Sequence, residues 1–177
     1  MKLFFGLGNP GKEYKNTRHN LGQILIDRVS QKNGFNLSQK NKLSAQVGEY
    51  QKNIFAISTE YMNNSGISVQ KVAAYYKISP KNIYLIHDDL DLEVGEWRLQ
   101  FDRGSAGHNG VKSTTENLGT QAFWRIRIGI GHPRSSVASG VGDPVEDYVL
   151  KPFDSEEKKK ISTTIDTIID EIEKMGS

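Results

Sequence analysis

The chain has 177 residues, a formal net charge of +2 and no cysteine. With 36% hydrophobic and 25% charged residues it has the composition of an ordinary globular protein, long enough for about one domain with its own core. The missing cysteine excludes a thiol nucleophile, a disulfide framework, a Cys-ligated zinc and an iron–sulfur cluster. No apolar run approaches the roughly 18 residues of a membrane span. Residues 1–8 lack the cleavage site of a signal peptide, so a cytoplasmic protein with no membrane anchor is expected.

The charge is unevenly placed. Residues 151–177 carry five basic and seven acidic side chains, which leaves +4 on the first 150. Five acids crowd into residues 88–96 (Asp88, Asp89, Asp91, Glu93, Glu96), so the remaining body is basic. That permits a polyanionic partner without demanding one.

In chain order, the apolar run 2–7 ends at glycines and predicts a buried strand. Leu21, Ile24, Leu25 and Val29 share one face of a helix over 21–32, stopped by Asn33-Gly34. Segments 47–50 and 54–58 predict a hairpin around Gln51-Lys52-Asn53. A helix follows over 67–76, a buried strand over 82–87 and an alternating strand over 96–101. A short helix over 111–118 ends at Gly119, and a strand covers 123–130. Five isoleucines at helical spacing from Ile161 to Ile172 predict an amphipathic helix over 155–175. Strands alternating with helices over short connections indicate an α/β sandwich with a mainly parallel or mixed central sheet.

Polar residues gather where these strands end. Asn9 and His19 follow the first strand, and Tyr61, Met62 and Asn63 follow segment 54–58. Asp88 ends segment 82–87, and His108 and Asn109 follow segment 96–101. In open α/β sheets the carboxyl ends of strands form the ligand crevice. A histidine there takes a proton near neutral pH, a carboxylate sets its tautomer, and amides donate to a developing oxyanion. With no cysteine and no G-x-S-x-G elbow, water is the expected attacking group and acyl ester or amide hydrolysis the expected reaction. Each residue alone has a plainer explanation. Asn9 suits a turn, Asn63 to Ser65 or Asn109 suit helix caps, the aspartates suit a solvated edge, His19 suits the surface and Met62 suits packing.

Other chemistries fit less well. Gly6-x-Gly8-x-x-Gly11 matches a dinucleotide fingerprint, but Pro10 interrupts the turn and no helix follows at once. The acidic stretch has its glycine one position late for a calcium loop, with Gln100 where the closing Glu belongs. The four histidines lack zincin spacing, which leaves a metal hydrolase using His87 and the acidic cluster as the remaining metal alternative.

Five blocks, in order, resemble the bacterial peptidyl-tRNA hydrolase family. They are Gly6-Leu7-Gly8-Asn9-Pro10-Gly11 with Tyr14 and Thr17-Arg18-His19-Asn20; Tyr61-Met62-Asn63-Asn64-Ser65-Gly66; His87-Asp88-Asp89-Leu90-Asp91; Gly107-His108-Asn109-Gly110-Val111-Lys112-Ser113; and Arg125-Ile126-Arg127-Ile128-Gly129-Ile130-Gly131-His132-Pro133. The resemblance covers about residues 1–150. It implies a monomeric, single-domain three-layer α/β/α enzyme that cleaves the ester between a peptide and the 3′ ribose of tRNA. It implies no metal, no cofactor and no stable protein partner.

Carried over by position, His19 is the expected general base, Asp88 its partner, and Asn109 the residue holding the water or the oxyanion. Asn9 and Asn63 are expected to position substrate. Tyr14, Tyr61, Met62 and His108 are expected around the peptide or terminal adenosine, with His108 a supporting neighbour. Arg98, Arg103, Lys112 and Arg127 are the expected contacts to tRNA phosphates. Gln100 departs from the basic residue common in relatives, and the stretch 134–144 is expected to be a mobile lid. A binding-only relative, a nucleotide-dependent oxidoreductase and a non-specific esterase are the alternatives.

Overall fold

Strand and helix signals become one seven-stranded mixed sheet with helices on both faces. The structure, a computed structural model, describes residues 1–133 and 142–176, so the proposed lid lies largely outside the described residues. The elements are β1 (Leu3–Gly6), α1 (Leu21–Asn33), β2 (Ser38–Lys40), β3 (Ala45–Tyr50), β4 (Asn53–Ser58), α2 (Ser65–Tyr75), β5 (Ile83–Asp89), β6 (Trp97–Phe101), α3 (Asn109–Leu118), β7 (Trp124–Gly129), α4 (Val145–Val149) and α5 (Ser155–Gly176). Sheet order is β2-β3-β4-β1-β5-β7-β6. The four central strands β4, β1, β5 and β7 run parallel, while β2–β3, β3–β4 and β6–β7 pair antiparallel.

Alternation along the strands builds two cores. Phe4, Ile86, Ile126 and Ile128 pack beneath Leu25 and Val29 of α1 and Ile165, Ile168 and Ile169 of α5. Leu3, Phe5, Ile83 and Leu85 pack against Val69 and Val72 of α2 and Val111 of α3. Successive side chains of a strand point to opposite faces, and central parallel strands are covered on both. That is why β1 and β5 are buried throughout.

Helix ends follow local chemistry. Gly34 and Gly119, both left-handed, close α1 and α3. Asp154 and Glu157 exchange backbone N–H bonds at 2.8 and 2.9 Å, a capping box that starts α5. The start of α1 lies against the end of β1 so closely that a Cβ on Gly22 would fall 2.2 Å from the Ile86 carbonyl oxygen. Only glycine permits that approach. It brings the residues just before α1, His19 among them, down onto the end of β5.

Two expectations change. The exposed β2 carries no apolar alternation and was not anticipated. More consequentially, β6 is antiparallel to β7, so Phe101 ends beside Trp124, at the far end of the sheet from Asp89. Residues 102–108 then return along the sheet, with left-handed backbone at Asp102, Ala106 and Gly107. This return, not the end of β6, delivers His108 and Asn109 to the other strand ends.

Candidate active site

The chain leaves β1 for one side of the sheet and returns at β5 on its other side. That is a topological switch point, where a crevice opens at the carboxyl ends of the strands. The one-turn helix Arg18–Asn20 lies beyond β1, the one-turn helix Met62–Asn64 beyond β4, and Asp88 at the end of β5. They border a cleft of about 650 Å³ lined by Asn9, His19, Met62, Asn63, Asp88, His108 and Asn109, among others.

Asp88 is its electrostatic centre. Only 2% exposed, it faces His19 Nδ1 at 3.0 Å through Oδ2 and His108 Nε2 at 2.8 Å through Oδ1. The His108 tautomer follows from its other nitrogen. Nδ1 accepts the backbone N–H groups of Gly110 at 3.1 Å and Val111 at 3.4 Å, so it carries no proton and Nε2 donates to Asp88. His108, not Asn109, is therefore the side-chain cap of α3. Through a neutral imidazole it couples the positive end of that helix to the carboxylate.

His19 is oriented the other way. With Nδ1–H donated to Asp88, its Nε2 lone pair is left as the basic site. Burial disfavours the charged ring, but the Asp88 charge and hydrogen bond outweigh burial, so its pKa lies above the ordinary 6.5. Burial pushes Asp88 upward, yet the facing imidazoles hold it well below the usual carboxylate range. His87 makes a third ring at the cluster, 4.8 Å from His108. It donates Nδ1–H to the Asp88 carbonyl at 2.7 Å, and burial pushes it down to about 3. Its Nε2 is buried without a partner.

Among the described residues, His19, Asp88 and His108 form a group whose ligand atoms lie within 4.8 Å of one another. The hydrogen bonds argue against a cation there. A metal on His108 Nε2 would require an imidazolate, because Nδ1 must keep its lone pair for the α3 amides.

The remaining expected residues occupy distinct positions. Asn9 is buried, and its Oδ1 accepts the Met62 N–H at 2.7 Å, which leaves Nδ2 as the free end of the carboxamide. Met62 is buried at 5% exposure, with Gly110 packed against its sulfur. Asn63 and Asn109 sit exposed on the rim. Tyr14 and the exposed Tyr61 meet edge-to-face at 6.3 Å outside the cleft lining. The solvated-edge explanation of the aspartates holds for Asp91 alone, which pairs with exposed His132. Asp88 and Asp89 are buried.

The basic residues divide. Arg98 and Lys112 are exposed, and Arg103 is half-buried. Lys112 lies one turn beyond Asn109 on α3. Arg127 is placed otherwise than expected. At 5% exposure, its Nε donates to Asp89 Oδ2 at 2.7 Å and its Nη1 to Gln100 Oε1. Parallel pairing sets Arg127 beside His87 and points it to the same face of the sheet as His87 and Asp89. In this arrangement the Arg127 guanidinium serves an internal ion pair, and Gln100 is its neutral partner.

Sequence reasoning also missed one wall. Val145 and Val149 of α4, with Leu150 and Leu90, line the same cleft as Met62. No period is readable in five residues. Arg18 ties that wall to the His19 turn, with its guanidinium 4.2 Å from the Tyr148 ring and hydrogen bonds to the Tyr148 and Lys151 carbonyls and Glu157.

Comparison with known proteins identifies the family. The sequence profile described as peptidyl-tRNA hydrolase matches residues 3–177. A peptidyl-tRNA hydrolase of Francisella tularensis is 42% identical over 170 residues, covering 94% of this chain and 86% of the relative. One from Cupriavidus metallidurans is 39% identical over 175 residues, covering 96% of this chain and 88% of the relative. The crystal structure of the Acinetobacter baumannii peptidyl-tRNA hydrolase superposes with a TM-score of 0.88 at 33% identity, covering 98% of this chain and 87% of that one. The chain belongs to the peptidyl-tRNA hydrolase family.

Proposed function

We propose that the protein hydrolyses the ester between a peptide and the 3′ ribose of tRNA by water that His19 activates. The observation carrying this reading is the Asp88-oriented His19, whose Nε2 is left free beside a cleft lined by amides. Water attacks the ester carbonyl carbon while Nε2 accepts its proton. The C–O bond to the ribose then breaks, and the proton passes to the departing 3′ oxygen. The products are a free carboxylate and an intact tRNA 3′ hydroxyl. A positioned base contributes about 10²–10⁴-fold.

In this reading Asn9 Nδ2 and the rim amides of Asn63 and Asn109 hold the carbonyl and peptide groups, and Met62 packs beneath them. The α4 residues Val145 and Val149 add apolar lining to the same cleft. Arg98, Arg103 and Lys112 meet backbone phosphates of a single tRNA on a monomeric cytoplasmic enzyme. The chain's own side chains suffice for the reaction, with no metal or cofactor.

The test compares N-acetyl-aminoacyl-tRNA with a small N-acetyl-amino acid ester across a salt series. Turnover of the tRNA ester at low substrate should fall steeply with salt, because phosphate contacts release counterions, while the small ester should respond little. Equal salt responses would instead favour a non-specific esterase.

A further inference from the structure

The two neighbours of His19 in the Arg18–Asn20 turn are both buried, at 7% and 2% exposure, and the account above uses neither in the chemistry. Asn20 occupies the N-cap position of α1. An Asn there ordinarily accepts an N–H of the first helical turn. Asn20 makes no such bond. Its carboxamide is turned instead to a single distant residue. Oδ1 accepts the Asn9 N–H at 2.9 Å, and Nδ2 donates to the Asn9 carbonyl at 2.9 Å. The second Nδ2 hydrogen points to Gln23 Oε1 at 3.4 Å.

Both main-chain groups of Asn9 are thus held by one rigid side chain. The Asn9 side chain is held in turn by the Met62 N–H on its Oδ1, which selects Nδ2 as the end presented to the cleft. Gly8 makes the clamp possible, since a Cβ there would fall 3.0 Å from the Asn20 Cγ and 2.7 Å from the Gln23 side chain.

We propose that Asn20 is a positioning residue for ester hydrolysis: its clamp on the Asn9 main chain aims the Asn9 Nδ2–H group at the substrate. The inference rests on the proposed reaction. It makes the Arg18–Asn20 turn carry both the base and the residue that orients a donor across the cleft. Small displacements of a positioned group cost rate steeply, because the effective concentration gained by orientation is lost.

A double-mutant cycle on N-acetyl-aminoacyl-tRNA hydrolysis tests this, using Asn9→Ala, Asn20→Ala and the pair. Asn20→Ala alone should lower kcat/KM by ~10- to 100-fold. In the Asn9→Ala background, where no carboxamide is left to aim, it should cost less than about twofold. Its effect on thermal unfolding should be nearly the same in both backgrounds, because the Asn9 main-chain groups remain. The acid limb of kcat/KM against pH should not move, because His19 and Asp88 are untouched. If Asn20→Ala does not fold, the cycle is run with Asn20→Asp. That variant keeps size and the acceptor for the Asn9 N–H but sets an oxygen against the Asn9 carbonyl. Rate effects that multiply in an active protein, or a harmless Asn9→Ala beside a costly Asn20→Ala, overturn the inference alone. No hydrolysis by the unaltered protein overturns the functional reading and the inference with it.

Discussion

The Nδ1 of His19 lies 3.0 Å from one oxygen of Asp88 while the Nε2 of His108 lies 2.8 Å from the other, so one buried carboxylate orients two imidazoles in opposite tautomers. Asp88→Asn is the direct probe. An amide nitrogen turned toward His19 would favour the tautomer with its proton on Nε2, and the base would be lost. The variant should fold and should lose on the order of 10⁴-fold in kcat, the scale seen when a carboxylate–histidine pair is broken this way. Steady-state hydrolysis of N-acetyl-aminoacyl-tRNA measures it.

The same pair fixes the pH dependence. In the proposed reaction the base form of His19 is the active one, and Asp88 raises its pKa above 6.5. The acidic limb of kcat/KM should therefore have its midpoint above 6.5, with activity rising through it as pH rises. A midpoint below 6.5 would mean that burial outweighs the carboxylate.

His87 should shape stability rather than rate. In the folded protein its pKa is pushed down to about 3, while in the unfolded chain it returns to the ordinary 6.5. As pH falls below 6.5 the unfolded state takes up a proton that the folded state refuses. The contribution is complete above 6.5 and is lost progressively toward 3, and it is on the order of a few kcal/mol. His87→Gln should show a smaller fall in Tm between pH 7 and pH 5 than the unaltered protein does, read by thermal unfolding at the two pH values.

Arg127 and Lys112 should part company. Arg127→Met leaves Asp89 buried without its partner and should cost about 3–5 kcal/mol of stability. Lys112→Ala on the exposed face of α3 should leave stability nearly unchanged and reduce the salt slope of tRNA binding by about one. Chemical denaturation of the first and salt-dependent binding of the second separate the two roles.

What was legible in the sequence follows from what repeats. The isoleucines of α5 and the unbroken apolar run of β5 state their elements through period and burial. Asp88 and His19 stood out because they follow strands. The role of Arg127 was hidden because its partner, Asp89, stands 38 residues away and meets it only through the parallel register of β5 and β7. The direction of β6 was hidden for a related reason, since alternation is the same for either orientation. His108 as a helix cap depends on which nitrogen faces α3, and the wall from α4 rests on too few residues to show a period. Asn20 was in plain view beside His19, but its clamp on Asn9 exists only because Gly22 and Gly8 let the backbones close.

The measurement that bears most directly on the account is single-turnover release of N-acetyl-aminoacyl groups from tRNA, comparing the unaltered protein with His19→Ala in the presence of a metal chelator. The account predicts rapid release by the unaltered protein, indifferent to chelator, and a loss of about 10²–10⁴-fold in the variant with tRNA binding retained. Release that survives His19→Ala, or that the chelator abolishes, would contradict a reaction driven by the His19–Asp88 pair.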